Sequence, residues 1–247
     1  MTGPQTAEPA QLGVAEQVAL GCRVLAANGQ SDLIWGHLSA RDPGGDGLWI
    51  KAAGLGLEEV VADRVLHLGP TGEILAGRGW RHVETPIHTQ ILRARPDVHA
   101  VVHSHAEAAV SFAATGMPVL AMSHEGSLFA PPDVPRFTRT GDLIRTPELG
   151  DLLAAALGQR NAVLIPHHGL VTVGPTVAVA VMTAIFLTKV CRMQLAAAAS
   201  GRELSASSGQ EALDKRARCW DDRQLTMAWD YLVRTAPAIR LGDVVAR

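Results

Sequence analysis

The segment that most constrains this fold runs from Thr176 to Ala199. It is Ala-rich and apolar on most faces, so as a helix it needs cover on more than one side. A sheet can supply one cover, and a further element or another subunit the other. Strand signals precede it. His37 to Arg41 and Leu48 to Lys51 flank the turn-rich Asp42-Pro43-Gly44-Gly45-Asp46-Gly47, and Val65 to Leu68 with Glu73 to Leu75 flank Pro70-Thr71-Gly72, so two hairpins are expected. Further strands are expected at Val98 to Ser104, Val119 to Ser123, Ala162 to Ile165 and Val171 to Val173. Helices are expected at Gln11 to Ala27, from Thr85 to before Pro96, at Ala106 to Ala114, at Glu148 to Leu157 and from Gln210 to Val233, with a helical turn at Glu58 to Asp63. Residues 1–9 predict a mobile tail, 10–247 a single domain, and 200–247 its C-terminal helical segment.

Composition narrows the function classes. A chain of 247 residues, 47% hydrophobic, suffices for a substantial α/β core, and no linker or repeat divides it. The formal charge of −2, with no basic cluster among aromatics, argues against nucleic acid as a partner. Cys22, Cys191 and Cys219 are too scattered for a disulfide framework or a metal knuckle, which fits a reducing cytoplasm. No basic leader with an apolar core opens the chain, and no run of eighteen consecutive apolar residues follows, so no membrane partner is expected.

His103-Ser104-His105 follows the apolar Ala100 to Val102. Alternate side chains on a strand share a face, so these two imidazoles can converge on one divalent ion. His168 is the candidate third ligand, at another strand end and just before Gly169. Glu84 is a fourth element. A glutamate before Thr-Pro can serve a helix N-terminus electrostatically, worth about 0.3–1 kcal/mol. Beside a metal it can instead ligate the ion or move a proton.

The runs HVETPIHTQILRARPDVHAVVHSH and AVLIPHHGLVTVG, with GQSDLIWGHLSARDP nearer the start, resemble the class II aldolase and adducin head family. The resemblance implies a three-layer α-β-α domain with a central, largely antiparallel sheet. It implies a homotetramer with active sites between subunits, and one divalent ion per subunit held by His103, His105 and His168. Zinc suits three imidazoles best, with manganese or iron as alternatives. Glu84, nineteen residues before the first ligand, takes the place of the family's acidic catalytic residue. Adducin-type heads without catalysis often lack these ligands, so their presence argues for an enzyme.

The chain departs from the sugar-phosphate members at the phosphate grip. Where those carry Gly-Asn, Thr-Gly or Ser-Gly and paired serines, it reads Gly36-His37, Ala53-Gly54 and His82-Val83-Glu84. A dianionic phosphate needs many donors. A non-phosphorylated, carboxylate-bearing substrate is therefore expected, received by His37, His82, Lys51 and Arg81 around Gly54. His124 falls where aldolases carry a catalytic tyrosine, as a proton carrier or a packed structural histidine. Tyr231, the chain's only tyrosine, either closes over the pocket or anchors a helix.

These expectations combine as a metal-dependent carbon–carbon lyase. The favoured form is a decarboxylase of a hydroxyaromatic, hydroxypyridine dicarboxylic or β-keto acid, acting through a metal-stabilised enolate or carbanion, with Glu84 or His124 supplying the proton. An aldolase or dehydratase, and a non-catalytic adducin-like interaction domain, are the alternatives.

Overall fold

The computed structural model describes residues 12–237. The expected tail, Gln11 of the first expected helix, and the chain beyond 237 lie outside the described residues. Helix α1 (Val14–Ala27) leads into β1 (His37–Arg41) and β2 (Leu48–Lys51). Two 3-10 turns, Leu57–Glu59 and Ala62–Arg64, replace the single turn expected there. Then come β3 (Val65–Leu68), β4 (Ile74–Ala76), α2 (Thr85–Ala94), β5 (Ala100–Ser104) and α3 (Glu107–Thr115). The chain continues through α4 (Pro147–Leu157), β6 (Ala162–Ile165), β7 (Gly169–Gly174) and α5 (Val177–Ala198), then α6 (Gly209–Cys219) and α7 (Asp222–Thr235).

The strands form one seven-stranded sheet in the order β4-β3-β2-β1-β5-β7-β6, with every neighbouring pair antiparallel. Both expected hairpins are present, β1–β2 and β3–β4. The period-2 pleat sends alternate residues to opposite faces, and each face has its own core. Leu38, Ala40, Ala100, Val102 and Leu170 pack with α1, α3 and α5 on one side. Ile50, Leu66, Val101, Val163, Val171 and Val173 pack with Ile87 and Ile91 of α2 and Leu153 and Leu157 of α4 on the other. The result is the expected three-layer α-β-α arrangement with an antiparallel sheet.

Helix α5 is apolar because of where it lies. By length and composition it would pass for a membrane span, with a mean hydropathy of 1.5 over its most apolar window. Its buried residues Ala180, Val181, Ala184, Leu187 and Cys191 instead join the core with α1 and the sheet.

Two expected elements differ. Val119 to Ser123 forms no strand, because side chains take its backbone donors: Val119 N–H donates to Asp133 Oδ1 and Leu120 N–H to Gln194 Oε1. The expected helix over 210–233 is two helices, α6 and α7. The break falls at Trp220-Asp221, where the Asp221 carboxylate accepts from Gln224 N–H and starts a new helix.

Helix α2, which begins beside Glu84, is held against α4 by close approach at Gly150. A Cβ there would sit 2.6 Å from Pro86 O and 2.7 Å from Gln90 Cγ. Alanine is the better helix former, by up to about 1 kcal/mol, but a backbone carbonyl cannot swing aside. Gly150→Ala is therefore expected to destabilise the protein by about 1–3 kcal/mol, measured by chemical denaturation. A neutral or stabilising result would show that the two helices have slack.

Candidate metal centre

The pleat of β5 aims its histidines. Val101 and His103 face α2 and α4, while Ala100 and Val102 face α5. His103 pairs with His37 of β1 on one side and Val171 of β7 on the other. His105 lies just past the strand end, two residues on. His168 comes from the β6–β7 connection, where His167 adopts a left-handed φ of 66° rather than extended backbone. Gly169 completes this turn. A Cβ at Gly169 would lie 2.4 Å from Ser104 O and 3.0 Å from His105 Cδ2, so only glycine lets the turn close onto the end of β5.

Glu84, at the N-cap position of α2, meets these three histidines. One ligand atom from each of Glu84, His103, His105 and His168 lies within 4.8 Å of all the others. Glu84 Oε2 is 3.6 Å from His103 Nε2, and Oε1 is 3.6 Å from His168 Nε2, both too long for hydrogen bonds. His103 Nδ1 lies 2.9 Å from Leu170 O and His105 Nδ1 lies 2.8 Å from Asp32 Oδ2, so each Nδ1–H has an acceptor. That leaves a bare lone pair on each Nε2, yet the two Nε2 atoms are 3.1 Å apart. Both nitrogens of His168 are buried with no hydrogen-bond partner among the described residues. Converging lone pairs with acceptor-fixed outer nitrogens, plus one carboxylate, are a donor set that fits a divalent ion.

The electrostatics agree. Burial would raise the Glu84 carboxyl, but His168, His103 and the Ile144 N–H, 2.8 Å from Oε1, bring it down to about 2. Burial lowers His103 to about 3 and His82 to about 3, the latter helped by Lys51. His103 is therefore a neutral imidazole and Glu84 an ionised carboxylate, the protonation states that ligands require.

The other expected residues divide into two groups. His37 lies within the site, its ring 4.4 Å from that of His82 and 5.0 Å from that of His103. Lys51 is wholly enclosed behind His82, with Nζ donating to Ile34 O at 3.0 Å and 3.5 Å from His82 Nε2. It acts on the site through His82 rather than by an open contact. Burial pulls its pKa down to about 8. Gly54 is exposed with a φ of 83°, and Arg81 is exposed. His124 is exposed at the start of a 3-10 turn, its carbonyl accepting from Trp220 Nε1, and Tyr231 is exposed on α7. No contact joins either to the cluster among the described residues.

Sequence reading missed three polar residues behind the cluster: Asp32, His88 and Ser39. His88 is fully buried between His37 Nδ1 and Ser39 Oγ, 2.6 Å from each. One signal existed. His88 lies four residues after Glu84, one turn along the same helix face.

Burial keeps His37 and His88 neutral, with pKa values well below the ordinary 6.5. The unfolded chain takes up protons on these imidazoles below pH 6.5 while the folded one does not, so stability falls with acid. Each such histidine contributes about 1.4 kcal/mol per pH unit. Glu84 acts in the same direction only below about pH 4.5, so the window from 6.5 to 5 isolates the imidazoles. Denaturation of chelator-stripped protein is expected to show steep loss of stability across that window, and a shallower one in His88→Gln. A flat profile would contradict neutral burial.

Comparison with known proteins bears on the family and the fold. The chain is 34% identical over 205 residues, 78% of its length and 82% of the relative's, to a 3,4-dihydroxyphthalate decarboxylase of Arthrobacter keyseri. Among solved structures it is similar to L-fuculose 1-phosphate aldolase from Glaciozyma antarctica PI12, with a TM-score of 0.80, 25% identity and 93% of each chain covered. It is also similar to an aldolase II superfamily protein from Pseudomonas syringae, with a TM-score of 0.81, 27% identity and 90% of each chain covered. Residues 16–195 match the class II aldolase and adducin N-terminal domain, and with 16–195 spanning most of its length, the chain belongs to that family.

Proposed function

We propose that this chain is a divalent-metal-dependent carbon–carbon lyase, and specifically a decarboxylase of a non-phosphorylated hydroxyaromatic, hydroxypyridine dicarboxylic or β-keto acid. One observation carries the reading: the Glu84, His103, His105 and His168 cluster lies beside His37 and His82, at positions where the sequence resemblance leads one to expect the polar phosphate-gripping side chains of sugar-phosphate members. The name of the Arthrobacter relative supports the same substrate class.

Bound by His103, His105 and His168, a zinc, manganese or iron ion would supply Lewis acidity, stabilising the negative charge that develops as the bond to the departing carboxyl group breaks. The protein's own groups do the rest. His37 and His82 orient the substrate's oxygens, with Lys51 fixing His82 from behind. Glu84, ionised at neutral pH, takes the proton of the substrate hydroxyl and returns it to the carbon that loses carbon dioxide. His124 and Tyr231 enter the proposal only as contributions from a neighbouring subunit, in a homotetramer with active sites between subunits. Their exposure, and that of Leu33, Trp35, Trp80 and Val83 in the segments flanking the site, supports such an assembly.

A sugar-phosphate aldolase is the second reading, favoured by the Glaciozyma structure. Metal-loaded protein incubated with hydroxyphthalates, hydroxypyridine dicarboxylates and sugar phosphates separates the two. Carbon dioxide release from an aromatic or pyridine dicarboxylate is expected, with His103→Ala lowering kcat/KM by about a thousandfold, several kcal/mol of lost charge stabilisation. Preferential aldehyde release from a sugar phosphate would establish the aldolase. Absence of both metal and turnover would leave the adducin-like interaction domain.

A further inference from the structure

His37 meets the site with one ring nitrogen and the protein interior with the other. Its Nδ1 lies 2.6 Å from His88 Nε2, and His88 Nδ1 lies 2.6 Å from Ser39 Oγ. Ser39, His88 and His37 thus form a line of three buried groups, 0%, 0% and 2% exposed. The line starts and ends on β1: Ser39 and His37 are two residues apart and so share a face, and His88 bridges them from α2. His37 Nε2 has no protein hydrogen-bond partner among the described residues, and it is the free end of the line.

Such a line can run in two directions. In one, the Ser39 hydroxyl donates to His88 Nδ1, His88 Nε2–H donates to His37 Nδ1, and His37 carries its proton outward on Nε2. In the other, every proton is reversed: His37 Nδ1–H donates to His88 Nε2, His88 Nδ1–H donates to Ser39 Oγ, and His37 Nε2 is a bare acceptor. The reversed form leaves the Ser39 hydroxyl proton with no acceptor, because Ser39 Oγ has no hydrogen bond other than that to His88 among the described residues. A buried donor left unpaired is costly enough to set a population ratio of about tenfold or more. A charged His88, donating at both nitrogens, would be an imidazolium enclosed between α2 and the sheet with no carboxylate bonded to it among the described residues, which burial disfavours.

We propose that Ser39 and His88 are positioning residues that lock His37 as its neutral Nε2–H tautomer, so that the site presents a fixed hydrogen-bond donor to a substrate oxygen. The direction of the line rests only on the satisfaction of buried polar groups. The use of the donor, to hold a carboxylate or carbonyl oxygen that a bare nitrogen would repel, rests on the decarboxylase reading.

Full-length protein with 15N-labelled histidine tests the direction without substrate, by long-range 1H–15N correlation that distinguishes protonated from bare ring nitrogens. His37→Gln assigns the His37 signals. The expected pattern is protonated Nε2 and bare Nδ1, in both stripped and zinc-loaded protein. Ser39→Ala leaves one buried nitrogen of His88 unpaired whichever way the line runs, so it is expected to weaken the bias and give a mixture of tautomers, whereas His88→Gln, whose amide N–H can still donate to His37 Nδ1, preserves the outward one. A His37 protonated on Nδ1 in the parent protein overturns the proposal. Should Ser39→Ala fail to fold, the parent spectrum alone decides the direction. With the preferred substrate, Ser39→Ala is expected to raise KM by the inverse of the fraction left in the outward form, about twofold for an even mixture, with little change in kcat. An unaltered KM alongside an altered tautomer would overturn the donor's role in binding while leaving the lock in place.

Discussion

Two imidazole nitrogens 3.1 Å apart, each with its outer nitrogen already committed to an acceptor, present lone pair to lone pair. A third imidazole with no hydrogen-bond partner among the described residues and a buried carboxylate complete the group. A shared cation resolves all four demands at once, and much of the surrounding structure serves to keep them converged. β1 and β7 clamp β5 at His103 from both sides. The left-handed turn at His167 and the tight closure at Gly169 bring His168 in, while the Ile144 N–H holds Glu84.

The second layer sets what the site can recognise. Asp32 fixes His105, and Ile34, two residues on, accepts from Lys51 through its carbonyl. One short turn thereby connects a metal-ligand candidate to the enclosed cation behind His82. His37 and His82 set two imidazoles beside the cluster, and an imidazole offers few donors, in fixed directions. Exposed Trp35, Trp80 and Val83 in the flanking segments add apolar surface of the kind an aromatic ring or a neighbouring subunit would cover.

What could be read in advance followed from local periodicity. His103 and His105 were legible because a two-residue spacing on an apolar strand fixes their common face, and the hairpins were legible from their Pro- and Gly-rich turns. His168 and Glu84 were candidates from their places at a strand end and a helix start, and the family resemblance gave them their roles, since no local pattern ties residues that far apart. Asp32, Ser39 and His88 escaped because their roles exist only once β1, β5 and α2 are stacked. His88 in particular reads in the sequence as an ordinary helical histidine, although its spacing from Glu84 placed it on the right face. The failed strand at Val119 to Ser123 has the opposite cause: its apolar pattern is real, but Asp133 and Gln194, distant in sequence, claim the backbone donors a ladder would use.

The central claim, that these four side chains form one metal site, is tested most directly by anomalous X-ray scattering at the zinc and manganese edges from crystals of the metal-loaded protein. One ion per chain is predicted, bonded to Nε2 of His103, His105 and His168 at about 2.0–2.2 Å and adjacent to Glu84. An anomalous peak elsewhere, or none at this site at saturating metal, would contradict it.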